Sequence, residues 1–268
     1  MRSILNGIGI LVARIALVMG IRREVTLENL RVAYPDLSIS ARKEIAKNAY
    51  RNLGIVFAEM LYLRFAGRSA IVKNIRVDNA DFFRDALAKN MGLIVVAGHF
   101  ANWEWLALGG SLVLEKNFAI VRKNIRTSFT ERFLERMRIR TGNTLINSAD
   151  IRSMYRVLQN HGCIALLADQ SAPGESTHVI FFGKNVPTFE GPARLALRTN
   201  APMLFAECLR EQTGKYVITF REIPFDDLKG DSPENIHELT FRHTHLLEKM
   251  IRRNPEQWLW QHRRWKYT

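Results

Sequence analysis

Leu93-Ile94-Val95-Val96-Ala97 followed by Gly98-His99-Phe100-Ala101-Asn102-Trp103-Glu104-Trp105 is the segment that most restricts the fold. A short, unbroken apolar run bounded by glycines reads as a strand covered on both faces, which belongs in a parallel sheet packed between helices. Gly98 lets the chain turn, and Asn102 is suited to cap a helix running to about Leu114. His99 therefore lies just past a strand end, where open α/β sheets place their chemistry. Glu104 falls in the first helical turn. On one straight helix the two side chains would stand about 140° apart at roughly 100° per residue, but a histidine on the turn can be met by a carboxylate folded back beside it. A neutral imidazole takes a proton from an alcohol, and a carboxylate on its other nitrogen fixes the tautomer and balances the imidazolium. The spacing alone also fits a histidine bonded only locally and a glutamate favoured by the helix N-terminus.

Downstream, apolar runs alternate with helical patterns. Strands are expected at 93–97, 118–122, 164–168, 179–182, 202–208 and 215–221, and helices at 102–114, 127–140, 150–160, 191–199 and 234–253. This predicts an α/β fold with a mixed, largely parallel sheet flanked by helices. Upstream, Ile45, Ala49, Leu53, Val56, Met60 and Leu63 recur every three or four residues and predict a long helix over 40–66. Residues 67–78 read as a basic connection to a helical stretch over 81–89.

Ser3 to Ile21 is the long apolar run of the chain, interrupted by Asn6 and Arg14. A spanning helix needs roughly 20 mostly apolar residues, and a central arginine costs about 2.5–3.5 kcal/mol. Residues 1–22 are thus expected to form a hydrophobic N-terminal helix that anchors or lies in a membrane interface, and 23–268 the catalytic domain. The charge points the same way. Thirty-nine Lys and Arg against 26 Asp and Glu leave +13, a field that favours anionic partners such as lipid head groups, an acidic carrier or nucleic acid. Cys163 and Cys208 sit in apolar surroundings and read as buried thiols.

Other chemistries find little support. There is no G-x-S-x-G, no Walker-type lysine motif and no G-x-G-x-x-G after a strand, and His243, His245 and Glu248 lack the H-E-x-x-H spacing of a zinc site. No metal or cofactor is expected. Asp169, like His99, follows a buried strand, where a charge is paired or functional. Arg122 ends the strand 118–122 and could hold a phosphate. Gly191-Pro192 opens a helix whose N–H groups could receive an anion, or could simply cap it. Trp258 to Lys266 interleaves tryptophans with Arg263, Arg264 and Lys266, a pattern suited to a head-group region, a nucleic-acid groove or the chain's own core.

Gly98 to Glu104 resembles the His-x4-Asp/Glu motif of the lysophospholipid and lipid A acyltransferases. The branch that acylates lipid A is matched by further segments: Glu28-Asn29-Leu30, Ala33-Tyr34-Pro35-Asp36-Leu37-Ser38, Ala168-Asp169-Gln170, Phe181-Phe182-Gly183, Gly191-Pro192-Ala193 and the ending Glu256 to Lys266. The resemblance implies a glycerol-3-phosphate acyltransferase-like fold at the cytoplasmic face of the cell inner membrane. It implies an acyl carrier protein or acyl-CoA donor and an anionic glycolipid acceptor, with no nucleic acid. It implies His99 as base, Glu104 as its partner, and Arg138 and Asp169 bordering the site. Arg122, Gly191, Arg263 and Arg264 are the candidate substrate contacts. A same-fold enzyme acting on a phosphoinositol mannoside or lysophospholipid, and a non-catalytic basic membrane- or nucleic-acid-binding protein, are the alternatives.

Overall fold

A computed structural model describes residues 2–123, 129–173 and 176–267. Among these, seven strands form one sheet in the order β1-β9-β8-β2-β5-β3-β4. These are β1 (Ile75–Asp78), β2 (Leu93–Ala97), β3 (Phe118–Arg122), β4 (Thr144–Asn147), β5 (Cys163–Leu167), β8 (Met203–Arg210) and β9 (Tyr216–Glu222). Every pairing is parallel except that of β8 with β9. The expected mixed, mostly parallel α/β sheet flanked by helices is therefore present.

The two central strands are the most apolar. β2 is buried along its whole length and pairs β5 in register, Leu93 with Cys163 through Ala97 with Leu167. The helix α6 (Trp103–Val113) follows β2, capped as expected by the Asn102 side chain, which accepts from the Glu104 N–H at 3.1 Å. Both cysteines are free and buried, and burial pushes their thiols well above the ordinary range.

Several elements depart from the sequence expectation. The basic connection 67–78 contains a short helix, α4 (Arg68–Val72), and the edge strand β1. β4 forms the other edge. The expected strand at 179–182 is half of a separate hairpin, β6 (His178–Phe181) with β7 (Lys184–Pro187), outside the main sheet. Phe182 and Gly183 both take positive φ, 50° and 71°, the two-residue turn that matches strand twist. Residues 127 and 128, the expected start of a helix over 127–140, lie outside the described residues. α7 is described from Phe129 to Ile139.

At the N-terminus, α1 (Arg2–Val18) packs along α3 (Ile39–Phe65), with α2 (Arg23–Ala33) between them in sequence. The α1–α3 contact is close because glycine faces glycine: a Cβ built on Gly9 or Gly54 would lie 2.2 Å from the other's carbonyl oxygen. Small residues at such a crossing let backbones meet. A Gly54→Val protein should therefore melt at a clearly lower temperature, with overpacking of this kind costing about 1–3 kcal/mol. Gly7→Val, on open surface, should melt at or slightly above the wild-type temperature, because valine is the better helix former of the two, and thermal denaturation of the pair checks this.

The start of α1 reaches the buried centre. Arg2 Nε donates to Glu59 at 2.8 Å, and the same fully buried carboxylate accepts from Asn102 Nδ2 and Trp105 Nε1, each at 3.1 Å, and from the Tyr216 hydroxyl. Four residues, from α1, the turn after β2, α6 and β9, thus meet on one α3 side chain, which satisfies a charge that would otherwise be costly to bury. No single described helix is long and apolar enough to cross a membrane; α1 and α2 pass that test only together, bent by 86°.

Candidate active site

Because β2 and β5 are neighbours in register, the residues two positions past Ala97 and Leu167 meet beyond the C-terminal ends of these central strands. These are His99 and Asp169. The Asp169 carboxylate is 3% exposed. It accepts from the His99 backbone N–H at 2.7 Å and from Trp258 Nε1 at 2.9 Å through Oδ2, and its Oδ1 lies 2.7 Å from His99 Nδ1. Burial opposes its ionisation, but the His99 ring and these hydrogen bonds hold the carboxyl below its usual range. An ionised Asp169 accepts only, so Nδ1 carries the proton and Nε2 presents a lone pair.

The turn that carries His99 is held by the chain's ending. Ala101 N–H donates to Gln257 O at 2.7 Å, Leu259 N–H donates to His99 O at 3.1 Å, and Phe100 bridges Trp258. Ala101 takes φ 46°, a strained conformation for alanine that persists only where neighbours fix it. Gly98 is required by proximity: a Cβ there would sit 2.6 Å from Leu247 and 3.2 Å from the Asp169 carboxylate.

The pairing expected between His99 and Glu104 is replaced. The carboxylate on His99 Nδ1 is Asp169, while Glu104, 1% exposed, is bonded by Arg138, whose Nε lies 3.0 and 3.2 Å from its two oxygens. The reason is geometric. Asn102 starts α6 immediately, and the first helical turn carries Glu104 toward α7 instead of back along the turn. Burial works against the Arg138 charge, yet the adjacent Glu104 raises its pKa above the ordinary arginine range.

His99, Glu104 and Arg138 nevertheless line one cavity of about 480 Å³. Its rim adds Arg122, Lys123, Glu131, Glu135 and Gln170, and its wall is apolar. Arg122 is bonded to Glu131 and, at 3.1 Å, to Glu135. The remaining candidates stand elsewhere. Gly191, at the start of α9 (Gly191–Thr199), and the exposed Arg263 are not among the cavity-lining residues. Arg264 is turned inward, donating to Pro187 O at 2.8 Å and Thr188 Oγ1 at 2.6 Å, so it holds the β7 end in place.

Sequence reasoning missed Trp258 as a support of Asp169, and Trp103, whose ring packs edge-on to His99 with centroids 4.9 Å apart. It also missed Gln170, whose amide nitrogen is 3.4 Å from His99 Nε2. Gln170 was visible only as a neighbour of Asp169 in the Ala168-Asp169-Gln170 segment.

This arrangement, a tautomer-fixed imidazole facing an apolar cavity with cations at its rim, can be set beside known proteins. The profile of the family described as bacterial lipid A biosynthesis acyltransferase matches residues 1–267. The chain belongs to that family. It is therefore an O-acyltransferase, and the resemblance carried by the segments quoted above holds over the whole chain. Among its relatives, the lipid A biosynthesis palmitoleoyltransferase of Escherichia coli (strain K12) is 26% identical over 249 residues, 91% of this chain and 79% of that protein. The lipid A biosynthesis lauroyltransferase of the same organism is 23% identical over 248 residues, again 91% and 79%. A phosphatidylinositol mannoside acyltransferase of Mycobacterium tuberculosis (strain ATCC 25618 / H37Rv) is 26% identical over 145 residues, 52% of this chain and 45% of that protein.

Proposed function

We propose that this acyltransferase moves a fatty acyl group from an acyl thioester, carried on acyl carrier protein, to a hydroxyl of a phosphorylated and already acylated glucosamine disaccharide. The observation that carries the reading is His99, with Nδ1 held by the buried Asp169 and Nε2 turned to the cavity beside the Gln170 amide nitrogen, 3.4 Å away. Nε2 takes the hydroxyl proton as the oxygen attacks the thioester carbonyl carbon. The carbon–sulfur bond then breaks, and the departing sulfur takes the proton back from the imidazolium. Asp169 orients the ring and balances its charge. Gln170, displaced from Nε2 by the hydroxyl, is placed to donate to the oxyanion. The Glu104–Arg138 pair and the Arg122 and Lys123 cations form the polar rim that receives phosphate-bearing partners. A thiolate is a good leaving group, so the residues present suffice for direct transfer.

A phosphoinositol mannoside acceptor is the second reading, favoured by the Mycobacterium tuberculosis relative. The test supplies purified protein with an acyl carrier protein thioester and, in separate reactions, each acceptor, with products weighed by mass spectrometry. Acylated disaccharide is expected. Product only from the mannoside would replace this reading with the second, and thioester left intact in both would refute the two together.

We place the protein at the cytoplasmic face of the inner membrane, with residues 1–22 as an interfacial anchor to the domain 23–268. Ile4, Ile8, Leu11, Val12, Ile15 and Val18 leave an exposed apolar surface on α1, and Phe57, Leu61 and Phe65, four apart, leave another on α3. Apolar side chains on a basic protein suit an anionic bilayer surface. Leu11→Glu with Ile15→Glu should reduce sedimentation with anionic vesicles at least tenfold, at an unchanged melting temperature; undiminished binding would remove α1 as the anchor.

A further inference from the structure

α1 lies almost wholly outside the core, with Ala13 its one buried residue among those described, yet at its start Arg2 points into the enzyme. The Arg2 side chain is 16% exposed, and that of Glu59, on α3, is fully buried. Arg2 Nη2 and Nε lie 2.6 and 2.8 Å from Glu59 Oε1. Nη1 donates to Asn74 Oδ1 at 3.0 Å, and Nη2 donates also to the Gly214 carbonyl. The guanidinium sits over the Trp105 ring, 4.9 Å from its centroid. Arg210 is the other cation beside Glu59 among the described residues, and its Nε, 4.0 Å away, is beyond hydrogen-bond reach.

The second oxygen of Glu59 reaches the turn that carries His99. Oε2 accepts from Asn102 Nδ2 and Trp105 Nε1, each at 3.1 Å. These two residues bracket Trp103 and Glu104, which line the cavity, and the Trp103 ring is the one packed against His99. Residues 102 and 105 are thus held from behind, while 103 and 104 face the substrate side. Asn102 decides the geometry. It is fully buried, with Nδ2 on Glu59 and Oδ1 on the Glu104 N–H. An acceptor at Glu59 draws the amide NH2 to that side and leaves the oxygen to cap α6. Turned round, the amide would set its NH2 against the Glu104 N–H, two donors face to face, and α6 would lose its cap.

Resting on the reading of His99 as the base, we infer that Arg2 and Glu59 are positioning residues for acyl transfer. Through Asn102 and Trp105 they fix the His99 turn and the start of α6, so that α1, which lies almost wholly outside the core, is part of the working site. An ion pair buried in this way stabilises a fold no better than apolar packing of the same volume. What it supplies is a narrow geometry. Donors occupy both oxygens of Glu59, so only a carboxylate satisfies them all. With α1 lifted from α3, Glu59 would stay buried among neutral hydrogen-bond donors alone, and nothing would hold Asn102 in its capping orientation.

The test measures kcat and KM for transfer from an acyl carrier protein thioester to the disaccharide, well below each variant's melting midpoint. Glu59→Gln keeps the shape of the side chain but must turn its NH2 toward Arg2 or toward Asn102, Trp105 and Tyr216, donors in either case. It should lower kcat about 10²-fold, the cost of a small misplacement of reacting groups, at a little-changed KM. Arg2→Ala should lose as much, and because the gap it leaves is partly open to water, millimolar methylguanidinium should restore most of the loss. Methylammonium at the same concentration should not, since it lacks the fork that spans Glu59 and Asn74. A role in stability alone would move the melting midpoints and leave the kcat of folded protein unchanged. Either variant carries the test if the other does not fold. A folded one with kcat within about threefold of wild type, beside an inactive His99→Ala, would overturn the inference and leave the acyl-transfer reading standing. An active His99→Ala would refute that reading and, with it, the positioning role.

Discussion

Asp169→Asn should lower kcat by about 10³-fold or more while the protein keeps its fold, an effect set by tautomer and not by packing. Asparagine matches aspartate in shape, and its one oxygen can still accept from the His99 backbone N–H and Trp258 Nε1, which both reach Oδ2. Its amide NH2 then faces Nδ1. Two donors cannot share that position, so the ring proton moves to Nε2, and the atom facing the cavity can no longer take a proton. The corresponding change in a serine-protease triad costs about 10⁴ in kcat for the same reason. His99→Ala should lose at least as much, since general-base catalysis contributes about 10²–10⁴-fold. Trp258→Phe, which removes one of several donors to Asp169, should cost less than either. The measurement is single-turnover acyl transfer with substrate saturating, beside a melting curve for each variant. A folded Asp169→Asn enzyme within tenfold of wild type would mean that the imidazole is not the base.

That prediction depends on a contact the sequence could indicate but not state. His99 and Asp169 were both legible as polar residues just past buried strands, because unbroken apolar runs such as LIVVA mark interior parallel strands well. What no single strand reveals is which other strand lies beside it. Neighbours β2 and β5 are seventy positions apart at the ends that lead to these residues, and only the pairing of Ala97 with Leu167 makes the two side chains meet. The five-residue spacing from His99 to Glu104 was, by contrast, fully visible and led to the wrong partner. Local spacing cannot tell which way a helix is rotated, and Arg138 from α7 fixes that rotation. Edge strands were missed for another reason. β1 and β4 are four residues each and bury only part of their length, so they lack the apolar run that marks a central strand. The ending from Trp258 to Lys266 was ambiguous because aromatic–cation interleaving fits a surface and a core equally. The structure puts Trp258 and Trp260 in the core, where Asn29 of α2 donates to the backbone oxygens of Trp260 and His262 at 2.7 and 2.6 Å.

Arg138→Met should destabilise the protein by about 3–5 kcal/mol, because it leaves the Glu104 carboxylate buried without its cation. Glu104 is 1% exposed, and the Arg138 side chain bonded to both of its oxygens is 17% exposed. Truncating one member of such a pair costs far more than the net worth of the pair, since desolvation has already been incurred. The double change Glu104→Gln with Arg138→Met should therefore recover most of the lost stability, because a neutral amide beside an unbranched apolar chain asks for no cation. A pair that only closes the wall would bring activity back with stability. A pair that holds the polar rim for a phosphate-bearing substrate would not: the double variant should melt near wild type yet show KM raised about tenfold or more at a little-changed kcat, the signature of lost uniform binding. Denaturant midpoints and a KM-against-kcat comparison for the three variants decide between these outcomes. An Arg138→Met protein within about 1 kcal/mol of wild type would show that Glu104 does not depend on Arg138 for its burial.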